Sequence, residues 1–585
     1  MPYTRMFQRI FWFQMVHPTR CVRFVLSFAL LGQTGLLANQ LSEVSFASGL
    51  KADVDRVFAA WDKPESPGCA LGIVHEGKLV YQKGYGQANL EQNTPINLST
   101  VFYIASTSKQ FTATSIALLA KQNKLSLDDD IRKYLPELPE YDSRITIRHL
   151  IHHTSGIPDY LELLGLAGER LDDVHGEEEI LELLSRQKSL SFKPGDQFLY
   201  SNSGYFLLGV IVKRVSGESL AQFAEEHIFN PLGMTHSRFH DSRTRLVKNR
   251  AQGYFSSKEG EVRNYLTQFD RVGDGGLMTT VEDLFRWDQA METGTLGGKD
   301  FVGSLLTQGQ LNNGNSFTYA FGLMIGQHRG LRTISHGGSF IGFKSELLRF
   351  PEQRLSVICL CNHNAADATK LANEVANIVL DHTPGQSVPP ATISAVEPVE
   401  RIPLKETDLK GDATVFREPT TGSLWRFSTE QEKIVATVDG QSFQLRPIGP
   451  GRYRSLGAPI DLELEFQRPS PDRPVVLQLG VEGQSPIALE TIEPVSLTLD
   501  QLGEFGGNYY SSDLQTLYQL FLHDGKLFLR LKNNPDAEVV PVLKDLFRVE
   551  GKNLAFSRNS QRQITGFVLS SGRIRNLRFA REGID

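Results

Sequence analysis

Apolar and polar positions follow two different periods between residues 50 and 383. Short apolar runs at 71–74 and 79–83 have the length of buried strands, whereas residues 106–122 predict one long helix. That helix is apolar almost all round, which indicates a buried central helix whose first turn faces a cleft. Strands that precede and follow helices in this way predict an α/β (α+β) sandwich over residues 50–383.

The pattern changes after residue 383. Residues 384–402 contain several prolines and lack any period, so we predict a linker there. From residue 403 onward, short alternating runs separated by turn residues replace the helical period, which predicts an all-β region. We divide this region into two small antiparallel β-barrel domains, 403–495 and 496–585.

The two halves of the all-β region repeat each other. Three stretches of the first half recur in the second at offsets of roughly 90 to 94 residues. The matched pairs are 424–427 with 517–520, 453–455 with 547–549, and 464–468 with 554–558. Tandem barrels explain this spacing, and chance similarity between β segments is the alternative.

The first 38 residues do not fit a folded domain. Four arginines precede the apolar run 24–31, and small-residue processing sites follow at 36–38 and 45–47. This order predicts a secretory signal peptide over 1–38, because the apolar run is shorter than the roughly 20 residues that span a bilayer. We expect a periplasmic or secreted protein, with membrane contact only if the segment stays uncleaved. A start at Met15 would also leave an ordinary signal.

Composition and charge narrow the class of function. The chain is 40% hydrophobic and 22% charged, as in ordinary globular proteins. With 61 basic and 67 acidic residues, a net charge of -6, it lacks the basic excess that nucleic-acid binding needs. No nucleic-acid partner is therefore expected.

Three cysteines remain after the predicted signal peptide. Cys69, Cys359 and Cys361 each lie in an apolar, strand-like run, where buried free thiols behave as small hydrophobic side chains. We expect free thiols at all three positions. The alternative is a disulfide from Cys69 to one of the other two, which requires neighbouring strands. A metal site is not expected, since paired histidine and cysteine ligands are missing nearby.

Candidate chemistry begins at the first turn of the long predicted helix. Ser106 and Lys109 are three residues apart, which places a hydroxyl and an amine on one helical face, near the positive end of the helix. A desolvated lysine loses its proton readily and could take the proton of Ser106. The pattern alone is weak, because Ser185 and Lys188 repeat it in a segment that we expect to be solvated surface.

Two further motifs follow Ser106 in a characteristic order. Residues 200–202 read Tyr-Ser-Asn and residues 336–338 read His-Gly-Gly, an order that resembles the three motifs of penicillin-recognising enzymes. The tyrosine and the histidine are similar to the branch that contains class C β-lactamases, D-alanyl-D-alanine carboxypeptidases, D-aminopeptidases and esterases. Further matching stretches are 150–158, 230–234 and 275–280. The resemblance implies a β-lactamase-like antiparallel sheet with helices on both faces.

The resemblance also implies a role for each residue of the first two motifs. Ser106 is the expected nucleophile and Lys109 its base. Tyr200 is the expected proton relay, provided that neighbouring cations make its phenol more acidic. Asn202 is expected to bind a substrate carbonyl while it accepts a hydrogen bond from Lys109.

The third motif is expected to line the cleft. His336 and Gly338 are the expected substrate-binding residues, and the N–H groups of Ser106 and Ser339 form the expected oxyanion hole. Histidine stands where other branches have lysine, and a neutral ring binds a carboxylate more weakly, so a carboxylate-bearing β-lactam is a less obvious substrate. His152 and His153 are interpreted as structural residues rather than metal ligands.

The expected activity is hydrolysis of a small amide, peptide or ester through a Ser106 acyl-enzyme, with a D-residue peptide as the leading substrate. The layout of one catalytic domain with two barrels resembles D-aminopeptidases. A class C-like β-lactamase or an esterase is the alternative enzyme, and a slow penicillin-binding or cell-wall-binding protein is the alternative of another class. No cofactor is implied. The expected partner is a small molecule or a short peptide, peptidoglycan fragments included.

The same resemblance implies that a loop of the final barrel reaches over the cleft. The candidate loop in the sequence is the polar turn 532–537. The alternative, which we weigh equally, is that the barrels are wall-binding or packing modules without an effect on the chemistry.

Overall fold

The computed structural model describes residues 49–382 and 415–583, with short gaps inside both ranges. The gaps lie at 171, 258, 266–269, 420–421, 431–432, 439–440, 450, 457–461, 468–475, 482–485, 493–494 and 533. The predicted signal peptide (1–38) and linker (384–402) therefore lie outside the described residues. The chain divides into the units Met1–Asp53 and Val54–Asp585, and the helices, strands and candidate site named below belong to the second unit.

The first domain alternates helices and strands, as its sequence pattern predicts. Its α-helices are α1 (Lys109–Lys121), α2 (Ile147–Ile151), α3 (Tyr160–Leu166), α4 (Glu177–Ser185), α5 (Asn202–Ser216), α6 (Leu220–Ala224), α7 (Asn230–Leu232), α8 (Val281–Thr293), α9 (Lys299–Leu305) and α10 (Ala368–His382). Its strands are β1 (Cys69–His75), β2 (Lys78–Tyr85), β3 (Gln87–Asn89), β4 (Thr94–Pro95), β5 (Phe102–Tyr103), β6 (Arg238–Phe239), β7 (Tyr254–Ser256), β8 (Val262–Asn264), β9 (Leu277–Thr279), β10 (Met324–His328), β11 (Leu331–Phe340), β12 (Phe343–Phe350) and β13 (Leu355–Cys361).

A six-stranded antiparallel sheet, ordered β10-β11-β12-β13-β1-β2, forms the centre of this domain. Ser356 on β13 donates a hydrogen bond to Asp288 of α8 at 2.7 Å. Glu346, which pairs with Cys359 of β13, accepts one from Thr369 of α10. Side chains 356 and 359 point to opposite faces because they alternate along a strand. Helices thus cover both faces, which confirms the predicted α/β sandwich.

The cysteine prediction is wrong for two of the three residues. Cys69 on β1 lies directly opposite Cys361 on β13, with their Cα atoms 4.0 Å apart, and the two form a disulfide. Cys359 is a buried free thiol, as expected. The alternative, a disulfide from Cys69 to one of the other two cysteines, is therefore correct. The strands β1 and β13 are neighbours, and their register places Cys361 rather than Cys359 opposite Cys69.

Two closed eight-stranded antiparallel barrels follow the first domain. The first comprises β14 (Val415–Arg417), β15 (Leu424–Glu430), β16 (Lys433–Val438), β17 (Gln441–Gly449), β18 (Arg452–Leu456), β19 (Leu462–Gln467), β20 (Val476–Val481) and β21 (Ile487–Ile492). The second follows helix α11 (Leu499–Gly503) and comprises β22 (Gly507–Ser511), β23 (Thr516–His523), β24 (Lys526–Arg530), β25 (Ala537–Leu543), β26 (Leu546–Val549), β27 (Lys552–Arg558), β28 (Ile564–Ser571) and β29 (Ile574–Arg581).

The structure confirms the tandem barrels. The described residues of the three stretches that repeat in sequence fall on the second, fifth and sixth strands of each barrel, so equivalent residues occupy equivalent strands. Among the described residues, none of the helices is both long and apolar enough to cross a membrane.

The two barrels differ in their relation to the first domain. Side chains inside the second barrel form one continuous apolar core with the first domain, whereas those inside the first barrel form a separate cluster. A smaller cluster joins the barrels to each other through Val415, Leu424 and Ile492 on one side and Val542 and Leu546 on the other. The second barrel is therefore the one positioned to influence a site in the first domain.

Candidate active site

Ser106 lies in a tight helical turn that opens the central helix. The turn is a 3-10 helix, Ala105–Ser108, and α1 continues from it, so the predicted long helix is present with a tighter start. Ala105 has a φ of 46°, a left-handed conformation that costs a non-glycine residue on the order of 1 kcal/mol or more. The surrounding fold holds this conformation: Ser345 donates to the Ile104 carbonyl at 2.8 Å. Ser106 itself is half-buried.

Lys109 begins α1 and is fully buried beside Ser106. Its Nζ donates to the Ser106 Oγ at 3.1 Å, to the Asn202 Oδ1 at 2.9 Å and to the Asp274 carbonyl at 2.6 Å. Burial lowers the pKa of Lys109 to about 7, although the Asp274 carboxylate works against this shift. A large fraction of Lys109 is therefore neutral near pH 7, and a neutral amine 3.1 Å from a hydroxyl can accept its proton.

Asn202, the first residue of α5, is oriented by a carboxylate that sequence reasoning missed. The Asp159 Oδ2 accepts hydrogen bonds from the Asn202 backbone N–H at 2.7 Å and from its Nδ2 at 2.9 Å. The amide group is thereby turned so that its Oδ1 faces Lys109. Asp159 also caps α3, with its Oδ1 accepting from the N–H groups of Leu161 and Glu162. Asp159 directly follows the matched stretch 150–158, and this position is the sequence signal that could have identified it.

Tyr200 packs against Lys109 and His153. The Lys109 Nζ lies 4.9 Å from the centroid of the Tyr200 ring, and the His153 ring lies 4.3 Å from it. Within the described part of the chain, the buried Tyr200 Oη has no hydrogen-bond partner that meets normal geometry. Burial raises the pKa of Tyr200, and this outweighs the lowering by the Ser106 hydroxyl and by Arg573. The expectation that cations make this phenol more acidic is therefore wrong, and Tyr200 is protonated at neutral pH.

His336 lies on β11 and is 5% exposed. Its Nδ1 is 2.6 Å from the Gly337 carbonyl, which can only accept, so Nδ1 carries the proton. The Nε2, at 3.0 Å, then accepts from the Tyr319 hydroxyl. Burial lowers the pKa of His336 to about 3, so the ring is neutral. Tyr319 is a second residue that sequence reasoning missed, and no motif marks it.

Gly338 and Ser339 continue β11 beyond the histidine. A Cβ at Gly338 would lie 2.2 Å from the Ile104 carbonyl oxygen and 3.1 Å from the Ser106 nitrogen, so glycine is what lets the strand approach the Ser106 turn. Ser339 is exposed, and its Oγ accepts from Lys344 at 2.8 Å. The structure therefore places Gly338 against the Ser106 turn. The oxyanion hole of Ser106 and Ser339, and the substrate-binding roles of Asn202, His336 and Gly338, stay predictions.

The final barrel contacts this region through a different loop from the one expected. Lys532, in the predicted candidate turn 532–537, pairs with Glu169 at the end of the α3 region. It is Arg573, in the hairpin between β28 and β29, whose guanidinium carbon lies 4.9 Å from the Tyr200 ring centroid. Among the described residues, the contact with Tyr200 thus comes from the β28–β29 hairpin. That the turn 532–537 reaches over the cleft stays a prediction.

The fold and the geometry around Ser106 define a protein of the β-lactamase-like class. The family model described as "Beta-lactamase" matches residues 54–380, more than half of the chain, and the chain belongs to this family.

Named relatives agree with this assignment. "Penicillin-binding protein 4*" of Bacillus subtilis (strain 168) is 33% identical over 301 residues, which are 49% of this chain and 66% of that protein. A "D-aminopeptidase" of Gluconobacter oxydans (strain 621H) is 29% identical over 322 residues, which are 55% of this chain and 60% of that protein. The chain thus spans less than two thirds of the length of these relatives.

One solved structure covers part of the barrel region as well. The octameric penicillin-binding protein homologue from Pyrococcus abyssi superposes with a TM-score of 0.52 over 76% of this chain and 99% of its own, at 24% identity. At this level of identity the likeness establishes a shared fold.

Proposed function

We propose that this protein is a serine hydrolase that forms an acyl-enzyme on Ser106 and cleaves small amides, with short peptides that carry a D-residue as the leading substrates. The observation that carries the proposal is the 3.1 Å contact between the Ser106 Oγ and a buried Lys109 Nζ whose pKa is about 7. The relative named D-aminopeptidase supports the choice of substrate class.

The proposed reaction starts with transfer of the Ser106 hydroxyl proton to Lys109. The Ser106 Oγ forms a bond to the carbonyl carbon, and the carbonyl oxygen takes the negative charge in the predicted oxyanion hole. Collapse of this intermediate breaks the C–N bond, and the leaving nitrogen takes a proton. A protonated Tyr200 suits this donation, since Lys109 can return the proton to the phenol. Water then attacks the ester of Ser106 by the same steps in reverse.

We also propose that the protein works in an exported, oxidising compartment. The predicted signal peptide (1–38) supports this, and so does the buried Cys69–Cys361 disulfide, since disulfides persist mainly outside the reducing cytosol. Fractionation of the native host, followed by thiol labelling of the protein with and without reductant, tests this proposal. Recovery in the cytosol with both thiols reactive would contradict it.

A panel of substrates on the full chain tests the proposed activity. The panel contains a D-alanine nitroanilide, its L-alanine counterpart as the matched control, an acyl-D-alanyl-D-alanine peptide, a short-chain nitrophenyl ester and a chromogenic cephalosporin. We expect steady turnover of the D-anilide, with the L-anilide slower by about tenfold or more.

Other outcomes of the panel identify the alternatives. Turnover of the cephalosporin or the ester without any amide would replace the proposal by a β-lactamase or an esterase. One burst of product followed by arrest on every substrate would indicate a slow penicillin-binding protein, because a trapped acyl-enzyme releases its first product only once.

A further inference from the structure

The hairpin between β28 and β29 is fixed against α3 by its backbone. Ser571 pairs with Ile574, so Gly572 and Arg573 form the two-residue turn. Gly572 has a φ of 40°, and a Cβ there would lie 2.7 Å from the Glu162 Oε1, which glycine avoids. The Arg573 backbone N–H donates to the Glu162 Oε2 at 2.8 Å. The turn therefore keeps its place independently of the Arg573 side chain.

Contacts beside the turn hold the barrel on the first domain. The Tyr518 hydroxyl donates to the Leu166 carbonyl at 2.9 Å, and the Thr516 hydroxyl to the Ala167 carbonyl at 3.2 Å. The Asn576 Nδ2 donates to the Leu190 carbonyl at 3.1 Å. Because the apolar cores of the two domains are also continuous, we expect substitutions at Arg573 to leave the barrel docked.

The Arg573 side chain reaches into the candidate site from this fixed turn. Its guanidinium carbon lies 4.9 Å from the Tyr200 ring centroid, the same distance as the Lys109 Nζ. Its Nη1 lies 3.5 Å from the Asp159 Oδ2, the atom that orients Asn202. The side chain is 39% exposed, so it lies at the solvent side of this group. One guanidinium thus contacts both the expected proton relay and the carboxylate behind Asn202.

We propose that Arg573 is a positioning residue of the active site: the last barrel supplies a fixed positive charge that holds Tyr200 and Asp159 in place around Lys109. The inference rests on the proposed function, because it assigns Arg573 to the acylation of Ser106.

The charged groups around Lys109 support this role. Burial is the largest cause of the lowered pKa of Lys109, the carboxylates of Asp274 and Asp159 raise that pKa, and the guanidinium groups of Arg573 and Arg271 lower it. Arg271 pairs with Asp274 within the first domain, at 3.0 Å. Without Arg573, only the Arg271 guanidinium would counteract the effect of the two carboxylates on Lys109. The pKa of Lys109 would therefore rise.

The remaining titratable neighbours of Lys109 stay neutral at pH 7. Burial lowers the pKa of both imidazoles and raises the pKa of both phenols; these groups are His153, His336, Tyr200 and Tyr205. A change in the pH dependence of acylation on removal of Arg573 therefore reports on Lys109.

The test is the pH profile of kcat/KM for a short-chain nitrophenyl ester, measured on the full chain. In Arg573→Gln, we expect the midpoint of the ascending limb to move upward by about half a pH unit or more, because a nearby cation is lost. Arg573→Lys keeps the charge and is expected to keep the wild-type midpoint even if its rate falls. Lys532→Gln is the matched control, since it removes a cation from the same interface at Glu169 and is expected to leave the midpoint unchanged.

Two results would overturn the inference: an unmoved midpoint in a folded Arg573→Gln, or a displaced midpoint in a folded Arg573→Lys. The second variant keeps the test decisive if the first one fails to fold. A Ser106→Ala arm separates this inference from the proposed function. If Ser106→Ala hydrolyses the ester at the wild-type rate, the proposed function fails; if it is inactive and the Arg573→Gln midpoint does not move, only the role of Arg573 fails.

Discussion

The chain contains two Ser-x-x-Lys segments with opposite surroundings. Ser106 lies in the turn that opens a buried helix, and Lys109 is the first residue of that helix. Lys109 is 0% exposed, and its Nζ donates hydrogen bonds to three acceptors. Ser185 is the last residue of α4, where its Oγ donates to the Glu182 carbonyl at 2.8 Å, and Lys188 is exposed beyond the end of that helix. In this chain, the Ser-x-x-Lys spacing places a basic amine beside a hydroxyl where a helix continues through the lysine and burial excludes water from its amine. The segment at Ser185 meets neither condition.

The second segment is less solvated than its sequence indicates. Gln187, between Ser185 and Lys188, is 2% exposed and donates to the Asp513 carbonyl of the final barrel at 3.0 Å. The expected surface is thus partly an interface between domains. Ser185 and Lys188 still lack the shared burial of the first pair, so they provide matched controls for every test of Ser106 and Lys109.

The largest expected effect is that of Ser106→Ala. Loss of the nucleophile should lower kcat on the best substrate of the panel by at least about 1,000-fold, whereas Ser185→Ala should retain the wild-type rate. Steady-state kinetics of the two variants, with matched thermal unfolding, measure this difference. Residual activity above a tenth of wild type in Ser106→Ala would remove the distinction between the two segments.

Lys109→Ala should cost about 100-fold to 10,000-fold in kcat/KM, because the base for the Ser106 proton is lost. Lys188→Ala is the control and should change the rate by less than about twofold. Single-turnover acylation with a nitrophenyl ester measures the step directly. A near-wild-type acylation rate in a folded Lys109→Ala would assign the base to another group.

Tyr200→Phe should lower amide turnover by about 100-fold, because it removes the protonated hydroxyl that we assign to the leaving nitrogen. The effect on a nitrophenyl ester should be smaller, since its leaving group needs no proton. The ratio of amide to ester rates in the variant and in wild type measures this contrast. An equal loss on both substrates would argue against proton donation by Tyr200.

The pH dependence should show a smaller and graded effect. Lys109 must be neutral to act as a base, and its pKa is about 7, so kcat/KM should fall about tenfold for each pH unit below that value and level off above it. Lys188→Ala should leave this profile unchanged. An activity that is flat between pH 5 and 8 would contradict the assignment of Lys109 as the titrating base.

The parts of this site that the sequence predicted lie in short motifs, of which Tyr200 with Asn202 and His336 with Gly338 are assigned through the family resemblance. Ser106 and Lys109 share one turn, and the apolar helix around them indicates burial without any knowledge of the fold. Tyr319 and Arg573 reach the site through long-range topology and have no periodic or motif signal, whereas Asp159 directly follows the matched stretch 150–158. The register of β1 against β13, which decides the Cys69 pairing, is likewise set by the assembled sheet.

The wrong expectation for the acidity of Tyr200 and the missed contact of Arg573 share one physical cause. The raised pKa of Tyr200 depends on how much water the folded domain excludes, and the choice of hairpin over Tyr200 depends on which barrel rim docks. Neither quantity is encoded in the spacing of residues. Both become visible once burial and domain contacts are known.

Mass spectrometry of the full chain trapped during turnover identifies the serine that carries the acyl group. After acid quenching of the reaction with a slowly hydrolysed ester, the account predicts an acyl adduct on the peptide that contains Ser106 and an unmodified peptide that contains Ser185. Ser106→Ala should yield no adduct at either peptide. An adduct on Ser185, or turnover without an adduct on Ser106, would contradict the account.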